Sequence, residues 1–218
     1  MIGGVRAALR LPRWVSRPPL WLIAAALAVL LAADHLYRTV TGDGVVPAFY
    51  DETAHLMTGY LVLVALFRGA GPAFSAGLLG ASVLIDADHI PGALGYAFFT
   101  NGTPRPYTHS LLTIALVVAV ALLWRRRRAL LLGVAVGLTF HFARDMAERP
   151  YAGVALGWPL SDHGYTYGHV VYLVSIAALA VIAAARSRLR EPLGQLRPQL
   201  GHLPLELGDA RLKLHARR

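Results

Sequence analysis

Four short segments hold most of the side chains able to do chemistry: DETAH at 51–55, LIDADHIPG at 84–92, RPYTHS at 105–110 and HFARD at 141–145. Asp51 and His55 are four residues apart, as are His141 and Asp145, so each pair shares one face of a helix. Asp86 and His89 are three apart, and Pro91-Gly92 predicts that the helix carrying them ends there. That ending frees Asp86, Asp88 and His89 to converge. His109 stands at the start of the next apolar run. Imidazole and carboxylate at helical spacing on facing helices are how bundles build metal sites. The chain has no cysteine, so a metal would be held by nitrogen and oxygen alone, a donor set that suits zinc, iron or manganese. The residues able to converge on one ion are Asp51, His55, Asp86, Asp88, His89, His109, His141 and Asp145. A divalent cation would also relieve the repulsion among Asp86, Asp88 and Asp145.

The elements that position these groups are membrane spans. Of 218 residues 56% are hydrophobic and 15% charged, too few polar residues for the surface of a soluble domain. Apolar runs extend over about 19–36, 54–67, 72–85, 109–124, 129–146 and 167–185. They predict an all-α polytopic membrane bundle of about six transmembrane helices. Several runs are short for a full span, and those helices are expected to complete it with polar residues facing one another. With the N-terminus inside, 17 of the 21 Lys and Arg fall on the inner side. Only Arg38, Arg105, Arg144 and Arg149 fall outside. This bias places both termini in the cytoplasm. Nine of the 12 acidic residues and seven of the nine histidines then lie outside. The net charge of +9 therefore marks topology, with Arg125–Arg128 as an anchor, and not a nucleic-acid partner. The first run follows a basic stretch, as a signal peptide would. No clear small-x-small cleavage site follows Leu31, so it reads as a retained helix. Residues 1–18 are expected to form a basic cytoplasmic N-terminus and 19–190 the transmembrane domain. Residues 191–218 would be a basic cytoplasmic tail, with a short amphipathic helix near Leu203–Leu214.

Each piece has a plainer reading. Asp51 and Glu52 can be helix caps. His35 can be interfacial, His141 and Asp145 a simple hydrogen-bonded pair, and His163 and His169 loop surface. Asp86 and Asp88 resist such a reading, because carboxylates at a helix C-terminus face the wrong end of the dipole.

Over roughly Asp51–His169 the chain resembles the YdjM-like family of bacterial inner-membrane, metal-dependent hydrolases. The carriers are His55 with Gly59, Asp86-x-Asp88-His89, Thr108-His109-Ser110, His141 with Asp145, and Trp158-Pro159. The resemblance implies that His55, Asp86, Asp88, His89, His109, His141 and Asp145 are the functional positions. It also implies location in the cytoplasmic (inner) membrane. Where that family commonly has His-Arg before Thr-His-Ser, this chain has Pro104-Arg105, so a ligand or proton carrier at 104 is absent. The family is distantly similar to zinc-dependent phospholipase C, whose HxxxD ligand pair His141 and Asp145 would match, and zinc is the expected ion.

The expectation is a hydrolase acting on a phosphoester or lipid-linked substrate at the outer face of the membrane, with membrane lipids as partners. One or more metal ions would acidify water for attack. Asp88 or Asp51 would orient it or accept its proton, and Arg105 would hold an anionic substrate. Two alternatives stand beside this: a metal or proton transporter, and a non-catalytic scaffold with a structural metal. Oligomeric state is not legible.

Overall fold

The computed structural model describes residues 13–40, 44–100, 102–147 and 153–188. The basic stretch before residue 13, the tail from 191 and its amphipathic helix lie outside the described residues. Six helices dominate: α1 Leu20–Thr39, α2 Val45–Leu66, α3 Pro72–Leu84, α4 Leu111–Leu123, α5 Arg128–Ala147 and α6 His169–Arg188. There is no strand among the described residues, only an isolated antiparallel bridge between Val154 and Tyr165. Four segments are long and apolar enough to cross a membrane: Leu20–Thr39, Pro72–Ala93, Arg125–Ala147 and His169–Arg188. The α4 helix is apolar but has only 13 residues. The α2 helix has the length, 22 residues, yet carries Asp51, Glu52 and His55 in its first half.

The α2 helix is the axis of the bundle. It packs against α1, α3, α5 and α6, and Leu61 through Ala65 are all buried. A helix that is apolar on every side must sit inside, and that is where polar residues can face partners. The sequence placed the start of this helix near Ala54, whereas it begins at Val45, with Gly44 before its first turn. Pro47 fits there because the first turn needs no backbone donor. Asp51 and Glu52 therefore lie in the second turn, and the reading of them as caps is corrected. Likewise α4 begins at Leu111, so His109 and Ser110 sit in the turn that precedes it.

The closest helix pair is α3 with α5. A Cβ on Gly133 would overlap the carbonyl oxygen of Phe74, and one on Gly137 that of Leu78. Small residues four apart let two helix backbones touch, where dispersion and weak hydrogen bonds hold them. This contact sets α3, which leads into Asp86, against α5, which carries His141 and Asp145.

The opposite end of the bundle is tied by arginines. Arg68 Nε donates to the Ser16 carbonyl at 2.7 Å and Nη1 to the Arg186 carbonyl at 2.5 Å. Arg186 in turn donates to the Ala65 carbonyl. These bonds satisfy carbonyls that helix C-termini leave open. Hydrogen bonds from a charged donor contribute about 1.5–3 kcal/mol each. Arg68→Ala is expected to destabilise the fold by about 3 kcal/mol, read as a lower melting temperature in detergent. Metal content should be unchanged, because the site lies at the other end.

Candidate metal centre

The last turn of α3 tightens into a 3-10 segment, Ile85–His89, followed by a short helix Ile90–Ala93. The tighter winding brings Asp86, Asp88 and His89 to one side. The turn before α4 supplies His109 to the same place. Its Nε2 is 3.2 Å from Asp86 Oδ1, and its Nδ1 is 3.3 Å from Asp88 Oδ2. His89 Nε2 stands 3.5 Å from Asp86 Oδ1 and 3.8 Å from Asp88 Oδ1. Thr108 donates its hydroxyl to Asp88 Oδ2.

A second group meets the first from below. His55 on α2 and His141 on α5 stack with ring centroids 3.8 Å apart. His55 Nε2 is 3.2 Å from Asp145 Oδ1, and His141 Nε2 is 3.3 Å from Asp145 Oδ2. All three are essentially sealed, at 0–1% exposure. Two contacts cross between the groups: His141 Nε2 to Asp86 Oδ1 at 3.3 Å, and His109 Nε2 to Asp145 Oδ2 at 3.5 Å.

All seven residues expected from the sequence as ligands are thus brought together. Together with Asp51, their donor atoms form three sets, each within 4.8 Å: Asp86, Asp88, His89 and His109; His55, His141 and Asp145; and Asp51, His55 and Asp86. Each set can hold a metal ion. The donor atoms are close but not satisfied. His55 Nε2, Asp88 Oδ1, His89 Nε2, His109 Nδ1, His141 Nε2 and both oxygens of Asp145 are buried without a hydrogen-bond partner. Buried polar atoms are normally paired, so a shell of orphaned ones facing a common point fits a cation between them.

His141 makes this concrete. Its Nδ1 lies 3.0 Å from the Ser82 carbonyl oxygen, which can only accept, so Nδ1 carries the hydrogen. In the neutral ring the lone pair on Nε2 then faces two carboxylate oxygens at 3.3 Å. Such a contact repels unless Nε2 is protonated or a cation stands between the groups. A carbonyl behind a ligating histidine is also the usual support that fixes its tautomer. Gly59 permits this arrangement, since a Cβ there would strike the Ser82 side chain.

Residues 51–203 match the family described as YdjM inner membrane protein, well over half of the chain. The chain belongs to the YdjM family. Among curated proteins and solved structures, none matches it. With its apolar helices, this YdjM-family protein is a multi-pass protein of the inner membrane.

The residues expected to act on substrate lie at the edge of the cluster. Arg105 is buried, with Nη2 3.4 Å from Asp145 Oδ1. Asp51 is bonded by Arg144 Nη1 and is 3.7 Å from His55 Nε2. Three features of this YdjM-family chain were not singled out from the sequence. Glu52 lines the cavity, and its Oε2 is buried without a hydrogen-bond partner. Asp34 on α1 is buried, 3.6 Å from Arg144 Nη2 and 3.1 Å from His169 Nε2. Gly133 and Gly137 lock α3 to α5. An acid inside an otherwise apolar run was the available signal for Asp34, and the small-xxx-small spacing was the signal for the glycines. His163 is exposed beside Tyr165, and His35 is exposed on α1.

A loop buttresses the centre. Trp158 stacks on Tyr107 at 4.5 Å, Leu111 N donates to the Leu156 carbonyl, and Tyr167 N donates to the Met146 carbonyl. The Trp158-Pro159 pair thereby steadies the His109 turn from outside. Above the cluster opens a cavity of about 440 Å³ bounded by Tyr37, Pro47, Glu52, Asp86, His89 and Arg105.

Proposed function

We propose that this is a membrane hydrolase of phosphoesters carried on lipids, working with two divalent ions at the outer face of the inner membrane. The observation that carries the reading is charge. Six buried or half-buried carboxylates, Asp34, Asp51, Glu52, Asp86, Asp88 and Asp145, gather with only two guanidiniums, Arg105 and Arg144. Carboxylates outnumber guanidiniums, an excess that divalent cations held by the two ligand sets would relieve. Leaving buried charges uncompensated costs several kcal/mol per ion.

Asp86, Asp88, His89 and His109 would hold one ion and His55, His141 and Asp145 the other, with Asp86 reaching both sets. Zinc suits these donors. When bound, the ions supply Lewis acidity towards water and towards a phosphoryl oxygen. The chain's own groups do the rest. Glu52 lines the cavity outside both ligand sets, with Oε2 buried and not hydrogen-bonded, and is the carboxylate assigned to take the proton from the attacking water. This assigns to Glu52 the role that the sequence suggested for Asp88 or Asp51. Asp88 belongs to a ligand set, and Asp51 is engaged by Arg144. Arg105, at the cavity wall, is placed to orient a phosphate oxygen. Water oxygen bonds to phosphorus, the ester oxygen leaves with a proton, and an alcohol and a phosphate result.

Apolar side chains flank the mouth. Val45, Val46 and Phe49 on the first turns of α2 are exposed, as are Ile90, Leu94, Tyr96 and Phe98 beyond the 3-10 segment. These surfaces suit acyl chains, while the cavity suits a charged headgroup. With the arginine-rich ends of the helices inside, the site faces outwards, and six spans result if α2 and α4 also cross. A transporter would need ionisable groups at several depths. Among the described residues, the Asp, Glu and His side chains of the helices gather in one half of the bundle, and the other half carries only arginines at its end.

The test is hydrolysis by protein purified in detergent, stripped with a chelator and reloaded with zinc, manganese or nothing. The substrates are a phospholipid series, phosphatidic acid and a soluble chromogenic phosphodiester. The expected result is turnover that needs metal and is at least about 100-fold lower in Glu52→Gln, the lower bound of the usual range for a general base. Metal bound at two ions per chain with no turnover on any substrate would leave the scaffold reading in its place.

A further inference from the structure

A second cavity shares no lining residue with the one above the cluster. It is a groove of about 580 Å³ between α1 and α2, lined by Arg17, Trp21, Ala25 and Val29 on one side and Met57 and Tyr60 on the other. Its walls are apolar except at one end, where Arg17 and Trp21 are exposed. We infer that this groove is a binding site for one anionic phospholipid of the leaflet at the arginine end, with its phosphate on Arg17 and an acyl chain along α1.

Three observations carry this. The first is length. From Leu20 to Val29 the helix rises about 14 Å at 1.5 Å per residue, close to half of the roughly 30 Å hydrocarbon thickness. The groove therefore runs one leaflet deep and stops. The second is charge. Arg68 is bonded to the carbonyls of Ser16 and Arg186, which places three arginines, 17, 68 and 186, at one corner of the bundle. Among the described residues all carboxylates belong to the opposite end or its loops, so nothing acidic competes for a phosphate there. The third is the aromatic at the mouth. Trp21 is 70% exposed, and an exposed indole in the first turn of an apolar helix belongs at headgroup level. A zwitterionic lipid would fill the groove equally well but would gain less from the positive corner.

Native mass spectrometry of the full chain, released from vesicles of equal phosphatidylglycerol and phosphatidylcholine, tests the site. The expected result is one retained phosphatidylglycerol per chain, favoured over phosphatidylcholine. Arg17→Gln should lower that retention about fivefold, the effect of one basic residue near an anionic surface, and Arg17→Lys should restore most of it. Ala25→Trp, which fills the groove from an exposed position, should abolish retention of either lipid while leaving metal content intact. Arg126→Gln should change nothing, because Arg126 does not line the groove. Equal retention of the two lipids, or unchanged retention in both Arg17→Gln and Ala25→Trp, would overturn the proposal. Inorganic phosphate or glycerol phosphate competing as well as the lipid would also overturn it, since the headgroup alone would then suffice.

Discussion

Asp86→Asn is expected to empty both halves of the metal centre. Asp86 Oδ1 lies within 3.5 Å of His89, His109 and His141, and the last of these belongs to the other ligand set. Asparagine keeps the size and removes the charge. Loss of a group that merely supports a ligand costs about 10–100-fold in metal affinity, so loss of a shared ligand should exceed 100-fold. Elemental analysis after dialysis should fall from about two ions per chain, one for each proposed ligand set, to less than one. Asp88→Asn touches one set only and should remove a single ion. The sign of the stability effect adds a check that activity cannot give. Without metal, Asp86→Asn relieves repulsion among Asp86, Asp88 and Asp145, so it should melt higher than the stripped wild type. With metal present the order should reverse. If the variant melted lower in both conditions and kept its ions, Asp86 would be a packing residue and the two-ion reading would fail.

Gly133→Val is expected to be the most damaging single change away from the cluster. A Cβ at 133 would overlap the Phe74 carbonyl and crowd the Leu78 amide. These are backbone atoms and cannot swing aside, so the two helices must separate. Overpacking a core commonly costs about 1–3 kcal/mol and sometimes more. Here the obstacle is rigid, so a loss of at least about 3 kcal/mol is expected, a large share of a net stability of about 5–15 kcal/mol. Separation would also carry Asp86 away from His141 and Asp145, so residual folded protein should bind metal poorly. Gly80→Ala is the internal control. A Cβ there would meet only the end of the Leu84 side chain at 3.8 Å. That substitution should be neutral or stabilise the helix by up to about 1 kcal/mol. Equal melting temperatures for the two variants would show that the α3–α5 contact is looser than described.

The clustering of the candidate residues was legible from the sequence because its logic is local. Asp51 with His55 and His141 with Asp145 are one turn apart, and a helix stop after His89 can be read from Pro91-Gly92. Spacing and the common end of the runs gave the candidates, and the resemblance to the family implied which seven of them would act as ligands. The start of α2 was not legible, because Asp51-Glu52-Thr53 looks like the border of an apolar run. A helix buried on all sides can hold such residues two turns inside its own start, and only knowledge of its neighbours reveals that it is buried. Glu52 was missed for the same reason, having been read as a cap. The joining of Asp34, Arg144, Asp51 and His169 involves residues up to 135 positions apart, and nothing in local patterning announces such a match. The approach of Gly133 to Phe74 likewise depends on which helices are neighbours.

The shortness of α4 has a consequence for the lipid around it. Thirteen residues rise only about 20 Å, roughly 10 Å less than the hydrocarbon they would have to cross. Leu111, Leu112, Leu116, Val120, Leu122 and Leu123 are exposed along it, so this flank meets acyl chains directly. A bilayer adapts to so short a wall by thinning beside it. On the proposed function, the polar surface would dip on the side of His109 and Asp86 and bring the phosphates of neighbouring lipids closer to them.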